Sequence, residues 1–459
     1  MEKLSRSETR KAIKNSMREG ALSDAGSSMR SADFLTAFAL ALGANSGMIG
    51  ILSAVPRLFR LISLMFTSKL ICKIKSTKTL TVIFAILSRI LWVPILFVPY
   101  FGENSLLALL AIVSVTSAFS ELSSAVWTSW MCDVFPEKTR GKYFGRRARV
   151  TIGASFIATM ITGWLLNLYN SVEGFFVVFS MSIALSMFSS YFLTKIPEID
   201  DKLCYQKVRF SMKHFLRGVS KHKNYSNYVM LMSLLYFSTS LIGPFIAVHL
   251  LKNLGFDYFT FSIIYSIEIL MMMLAEPYWG KLSDKFGDKA IMAVSYSMIP
   301  LVPLLMLFMK TPLQALPIFI FSGFAWAGFE IASFNYLLDC APKKGQPVFI
   351  ANYKAFFNIA TFLGPLIGGA LLTFFGDLTF LTLSGIPLLF LISFALRALF
   401  AGLTLPRISE IRGGSHKPFS EIFIKAVAIY PASATKNELV YVGRHMHKWE
   451  KKVFKGVPT

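Results

Sequence analysis

Charged residues and cysteines are scarce in this chain. Only 16% of its 459 residues are charged and only four are cysteine, whereas 54% are hydrophobic. The four cysteines show no paired spacing, which predicts reduced thiols and no metal site. Soluble domains carry roughly 25% charged residues. The composition therefore predicts a protein that crosses a membrane many times.

The sequence also lacks the short motifs that accompany common enzyme chemistry. It has no Gly-x-x-x-x-Gly-Lys-Ser/Thr phosphate loop, no His-Glu-x-x-His zinc motif and no Gly-x-Ser-x-Gly nucleophile. Of the histidines, His249 alone falls in an apolar run. We therefore expect no enzymatic activity and no cofactor. A membrane-embedded enzyme is the weakest of the alternatives left open.

Acidic residues are outnumbered, with 25 Asp and Glu against 47 Lys and Arg, which gives a net charge of +22. In a soluble chain this excess would suggest nucleic acid as a partner. Here the basic residues cluster between apolar runs, as the positive-inside rule predicts for cytoplasmic segments. We expect membrane lipid and no nucleic acid as a partner, in a multi-pass protein of the plasma membrane.

The apolar runs fit an all-α membrane fold with twelve spans and both termini in the cytoplasm. A span needs ~20 apolar residues, and basic clusters on one side require an even number of spans between them. The first span must run from Glu19 to Leu42 despite its charges. The predicted division is a basic N-terminus (1–18), a six-helix bundle (19–194), an amphipathic linker (195–225), a second six-helix bundle (226–405) and a basic tail (406–459).

The turn from Gly280 to Lys289 joins two of these runs through the pattern Gly-x-Leu-x-Asp-x-x-Gly-x-Lys. This pattern resembles the loop signature of the major facilitator superfamily of secondary transporters. The resemblance extends over about residues 19–405 and names no substrate. It implies two parallel six-helix repeats, transport of a small solute by alternating access, and a central site between the halves. A transporter-like receptor or scaffold without flux is the other alternative.

An internal repeat supports the two halves. Asp133-x-x-Pro136 and Asp339-x-x-Pro342 each precede a Gly-x-Leu-Leu sequence by the same number of residues. We expect Asp284 to accept hydrogen bonds from the N-terminus of the fifth helix, near 146–149, because helix N-termini favour anions. A solvated turn is the simpler interpretation of this loop. The candidate cytoplasmic gate residues are Asp133, Arg140, Gly280, Asp284, Gly287, Lys289 and Asp339.

A belt of charge is predicted near the middle of the membrane. Counted at ~1.5 Å per residue from the cytoplasmic helix ends, Arg30, Arg60, Arg89 and Glu121 all lie ~15 Å deep. Each intramembrane charge costs ~2.5–3.5 kcal/mol on insertion scales. Salt bridges that hold each half together are one explanation, and a hydrated substrate cavity is the one we favour. The candidate substrate- and ion-binding residues are Asp24, Arg30, Asp33, Arg57, Arg60, Arg89, Glu121, Trp127, Glu268, Trp326 and Glu330.

The ligand itself is only partly constrained by the sequence. The excess of arginine in the first half favours an anionic or zwitterionic small molecule, because the guanidinium group binds carboxylates and phosphates through forked hydrogen bonds. H+ and Na+ are both candidate coupling ions, and facilitated diffusion is a further possibility. We expect the protein to act as a monomer.

Overall fold

In a computed structural model, every regular element of the described residues is a helix, and ten stretches are long and apolar enough to cross a membrane. The predicted linker and tail fall largely outside this set. The structure describes residues 6–74, 76–135, 137–169, 172–198, 222–342, 346–374, 385–411 and 419–424.

The first half contains seven α-helices and one 3₁₀ helix. They are α1 (Arg6–Ser28), α2 (Ala32–Ala41), α3 (Ser46–Ile74), α4 (Thr77–Ile90), the 3₁₀ helix Val93–Asn104, α5 (Ser105–Val134), α6 (Glu137–Tyr169) and α7 (Val172–Thr194).

The second half begins after the linker. Its elements are α8 (Lys223–Ser240), α9 (Gly243–Val248), a π-helical turn (His249–Asn253), α10 (Tyr258–Phe286), α11 (Asp288–Met298), α12 (Leu301–Met306), α13 (Pro312–Cys340), α14 (Gln346–Phe374) and α15 (Gly385–Thr404), followed by the 3₁₀ turn Leu405–Arg407 and the short helix α16 (Phe419–Ile424).

The first helix differs from its prediction at its start and by a break within the span. It begins at Arg6 rather than Glu19, and it breaks before Ala32, so that α1 and α2 together replace the predicted span. The early start is stabilised by packing on α6, where Ser16 is fully buried and hydrogen-bonds the Tyr143 hydroxyl. Hydropathy does not report such an amphiphilic extension, because a helix end in water needs no apolar run.

The two halves show the same interruptions. The first helix of each half breaks in its outer part, between α1 and α2 and again between α8 and α9. The third helix of each half also breaks, near Pro94 and Pro300. Proline removes a backbone donor and clashes with the preceding turn, which accounts for the second pair of breaks. These matched breaks agree with the internal repeat in the sequence.

The halves meet through α3 with α14 and through α6 with α10. We call the helix ends at the links 42–45 and 254–257 the outer ends, and the opposite ends the inner ends. Gly50 contacts Gly369, and Gly163 contacts Ser262, all close to the outer ends. Small residues allow backbones to approach closely in membrane helices. Among the described residues, the ring and glycine contacts between the halves lie on this outer side, and the hydrogen bond of Arg57 to the Thr361 carbonyl lies near the middle of both helices.

Candidate functional site

A cavity with a volume of about 520 Å³ lies within the first half. Helices α1 to α7 supply its walls. Five arginines line it, namely Arg30, Arg57, Arg60, Arg89 and Arg147. Two carboxylates line it as well, Glu19 and Asp24. The cavity is therefore polar and carries an excess of positive charge.

One face of α5 contributes hydroxyl groups to this cavity. Thr116, Ser117, Ser120, Ser123 and Ser124 all line it. Their spacing of three and four residues keeps them on one side of the helix, as amphipathic helices require. The cavity wall therefore offers donors and acceptors as well as guanidinium groups.

Glu19 links two of the arginines. Its carboxylate lies 3.1 Å from the Arg147 guanidinium and 3.7 Å from that of Arg89, and the residue is only 5% exposed. Arg89 also donates to the Ser190 hydroxyl. Arg89 and Arg147 are thus each paired with Glu19. Salt bridges of this kind were one of the two explanations of the charged belt that the sequence left open, the other being a substrate cavity.

Arg30 is oriented by neutral groups instead. Its guanidinium donates to the Ser182 hydroxyl at 2.5 Å and to the Ser186 hydroxyl at 2.9 Å. It also stacks over the Trp92 ring, 5.1 Å from the ring centroid. Serines at i and i+4 on α7 therefore hold this arginine in place, and no carboxylate among the described residues neutralises it.

Arg57 and Arg60 occupy the α3 wall. Arg57 donates to the Thr361 carbonyl of the second half at 2.5 Å. Arg60 is exposed to the cavity, and no partner for its side chain is found in the described part of the chain. The two guanidinium groups are close enough to repel one another.

The predicted belt divides into separate sites. Asp24, four arginines of the prediction and Trp127 line the cavity, and the Trp127 ring lies 4.4 Å from the Arg147 guanidinium. Glu121 does not line it, although its neighbours Ser120 and Ser124 do. Depth arithmetic fixes the level of a residue and leaves the rotation of its helix open.

A second polar cluster joins the halves. Asp33 on α2 and Glu268 on α10 are near one another, with the Tyr265 hydroxyl bonding Asp33. Ser322 donates to Glu268 at 2.5 Å. The partners of these two carboxylates among the described residues are hydroxyl groups rather than cations.

Glu330 belongs to a third cluster, on the second half. It accepts a hydrogen bond from the Tyr236 hydroxyl, and the Tyr236 ring lies 5.9 Å from that of Trp326. Neither Trp326 nor Glu330 lines the large cavity. The predicted acids and aromatic wall of the second half therefore form surroundings of their own.

The turn at the inner end is stabilised by residues that the signature does not contain. Gly287 has φ = +91°, a value that favours glycine. A Cβ on Gly287 would lie only 2.6 Å from a carboxylate oxygen of Glu410, and this carboxylate accepts a hydrogen bond from the Lys289 amide at 3.1 Å. Ser283 hydrogen-bonds Asp288. Glu410 follows the last span, and no motif marks it in the sequence.

Asp284 has a different environment from the predicted one. It is exposed, and no hydrogen bond of its side chain is found among the described residues. The fifth helix begins at Glu137, so residues 146–149 lie inside α6 and offer no free N-terminal amides. The predicted acceptor role at that position therefore lacks its donors in this conformation.

The other gate residues are placed as follows. Gly280 contacts Ile331 of α13, and Asp339 is half-buried near the inner end of the same helix. The side chains of Asp133 and Arg140 lie outside the described ones.

Sequence reasoning left out several residues of the cavity. Glu19 and Arg147 were not among the candidate site residues. The serines at 182, 186 and 190 repeat every four residues on a helix that is mostly apolar. That spacing was a usable signal for one polar face.

Comparisons with known proteins found one family model, several transporters and related structures. Residues 228–435 match the family model of the Major Facilitator Superfamily. This match covers less than half of the chain, most of it in the second half, and includes the loop from Gly280 to Lys289. It is 21% identical over 248 residues to a multi-drug resistance efflux pump PmrA homolog from Lactococcus lactis subsp. lactis (strain IL1403), which covers 53% of this chain. The chain spans 60% of the length of that relative.

Solved structures share the fold. A mutant of the nucleoside transporter NupG superposes with a TM-score of 0.67 at 14% identity, covering 87% of this chain and 100% of that one. A bacterial homolog of the human lysosomal transporter Spinster, in an inward-facing conformation, gives a TM-score of 0.66 at 11% identity, covering 92% and 99%. At these identities the likeness shows the fold alone.

Proposed function

We propose that this protein is a secondary transporter of a small solute that works by alternating access. The family and the fold support transport over enzymatic activity. A monomer contains the whole fold of two halves and the cavity. The single observation that carries the proposal is the close contact that the described residues of the two halves make at their outer ends.

The proposal includes twelve spans with both termini in the cytoplasm of a plasma-membrane protein. Ten candidate spans are found in the described part of the chain, and one of them, Thr77–Thr128, contains two helices on either side of Gly102. The charged pair α1 and α2 supplies one more. The positive-inside rule supports the orientation, because the basic links fall at the inner ends.

The contacts support an inward-open conformation. Phe34 packs edge-on against Phe261 at 5.8 Å, and Phe175 packs against Tyr258 at 5.8 Å, both across the halves on the outer side. Rocking of one half against the other would separate these contacts and expose the cavity to the outside. A receptor without flux would have no need to make that movement.

Thiol labelling tests the movement without knowledge of the substrate. In a background free of Cys72, Cys132, Cys204 and Cys340, the cavity residue Ser120 is replaced by cysteine. A membrane-impermeant maleimide is then applied to intact cells or to inverted vesicles. Alternating access predicts labelling of Ser120→Cys from both sides.

Two controls define the sides. Glu103→Cys at an exposed outer turn should react only from outside, and Lys285→Cys at the exposed inner turn only from inside. Labelling of Ser120→Cys from the inside alone, under every condition in which the controls react, would favour the receptor and contradict the transporter.

We further propose H+ as the coupling ion, with Asp33 and Glu268 as its site. The groups that face these carboxylates are Tyr265 and Ser322, both uncharged. A proton taken up by the pair would remove the repulsion between two negative charges. Because the pair spans the halves on the outer side, protonation would stabilise the closed outer contact.

Replacement of Glu268 by glutamine should therefore abolish a pH effect. Each labelling rate is divided by that of Glu103→Cys at the same pH, because maleimide reacts with the thiolate and its fraction falls with pH. In the parent protein, this relative outside labelling of Ser120→Cys should slow about fivefold as pH falls, which corresponds to ~1 kcal/mol in the conformational equilibrium. With Glu268→Gln, the relative rate should be independent of pH. Asp257→Asn is the matched control, since it removes an outer carboxylate and keeps a residue that caps α10. A pH effect that survives in Glu268→Gln would exclude this site.

A further inference from the structure

We infer that the cavity of the first half binds a small organic anion that carries at least two negative charges. This inference rests on the proposed transport function and specifies its substrate class. Five guanidinium groups line the cavity against two carboxylates, so the lining has an excess of three positive charges.

The two carboxylates of the cavity lining already have arginine partners. Glu19 pairs with Arg89 and Arg147, and Asp24 faces Arg147 as well. Arg30, Arg57 and Arg60 are left with no carboxylate partner among the described residues. Arg30 and Arg57 are half-buried, and a charge that is taken out of water without a counter-charge is costly. An anion in the cavity would supply that counter-charge.

Like charges also lie near one another in the lining of this cavity. Arg30 is repelled by Arg89, and Arg57 is repelled by Arg60 on the same helix. An anion placed beside either pair would replace the repulsion by two attractive contacts. Two such pairs in one cavity favour a ligand with more than one anionic group.

The type of cation is informative as well. All five basic residues of the lining are arginine, and none is lysine. Positive-inside topology uses either residue, so it does not explain this choice. Arginine offers a rigid fork of donors that fits carboxylate and phosphate groups in a bidentate manner. Neutral serines and the Trp92 ring hold Arg30 in position, so its charge is kept for a ligand.

The remainder of the wall suits a polar solute. The hydroxyl face of α5 supplies hydrogen-bonding groups, and the volume of about 520 Å³ is that of a small-molecule site. A phosphate ester or a polycarboxylate meets both requirements. A lipophilic cation would be repelled by the excess positive charge of the lining.

Ligand-dependent stabilisation of the purified full-length protein tests this inference. The probes at constant ionic strength are glucose 6-phosphate, citrate and inorganic phosphate, with glucose as the neutral partner and tetraphenylphosphonium as the cation. We expect glucose 6-phosphate or citrate to raise the unfolding temperature, and glucose to have no effect. Which of the two binds distinguishes a phosphate ester from a polycarboxylate.

Variants locate the binding. Arg60→Gln removes an exposed side chain that stabilises nothing else in the described part of the chain, so it should fold. It should weaken anion binding at least tenfold. Arg30→Lys keeps the charge and loses the fork, and it should weaken binding as well. Arg407→Gln, which removes an exposed arginine outside the cavity, should bind as the parent does.

Equal stabilisation by glucose and glucose 6-phosphate would overturn the inference, as would stabilisation by tetraphenylphosphonium alone. Anion binding that is unchanged in both Arg60→Gln and Arg30→Lys would also overturn it. Each of these results leaves two-sided labelling of Ser120→Cys intact, so the substrate class and the transport function fail separately.

Discussion

Replacement of Gly163 by valine should open the cavity to the outside. A Cβ at this position would lie 2.1 Å from the Ser262 hydroxyl oxygen and 2.7 Å from the Tyr258 carbonyl of the opposite half. The added side chain therefore cannot fit while the outer contact is closed. We expect outside labelling of Ser120→Cys to rise at least tenfold and inside labelling to fall, with transport lost because the outer face no longer closes.

The same helix offers a matched control. Gly153 also lies in α6, and a Cβ there would have no atom within 4 Å. Gly153→Val makes the same change to helix propensity and should leave both labelling rates unchanged. Similar behaviour of the two variants would show that α6 and α10 do not form the outer closure.

Replacement of Glu19 by glutamine should have the largest effect on stability. The change keeps the shape of the side chain and leaves Arg89 and Arg147 without their shared counter-charge. Removal of one partner of a buried ion pair costs about 3–5 kcal/mol. We expect that loss in the free energy of unfolding, measured by denaturant titration of the purified protein.

Two further variants qualify this result. Glu103→Gln removes an exposed carboxylate at an outer turn and should leave stability unchanged. Arg147→Met in the Glu19→Gln background removes one of the unpaired charges and should restore part of the loss. A stability of Glu19→Gln equal to that of the parent would mean that the two arginines are solvated rather than paired.

Helix positions followed from hydropathy wherever the chain is apolar. The run at 172–194 matches α7 at both ends, because lipid contact selects apolar residues along its whole length. The start of α1 at Arg6 and the start of α6 at Glu137 could not be found in this way. Those segments extend as helices into water, where packing and helix propensity determine the ends.

The sequence predicted how deep in the membrane the candidate site residues lie, but it predicted only in part which of them face the cavity. Arg30, Arg60 and Arg89 were placed at one level, and all three line one cavity. Glu121 lies on the same helix as five lining hydroxyl residues and does not line the cavity itself. Rotation and tilt of a span depend on its neighbours, so a count along one helix cannot supply them. For the same reason, the sequence could not predict that Glu268 and Glu330 lie in separate clusters.

The central claim is that the outer contact must open for the cavity to be reached from outside. Its most direct test is a disulfide across that contact. A Cβ on Gly47 would lie 4.0 Å from the Thr373 Cβ of the other half, within the ~3.5–4.5 Å range of disulfides. In the cysteine-free background with Ser120→Cys, oxidation of Gly47→Cys with Thr373→Cys should abolish outside labelling, preserve inside labelling, and be reversed by reduction. Outside labelling at an undiminished rate in the cross-linked protein would contradict the account.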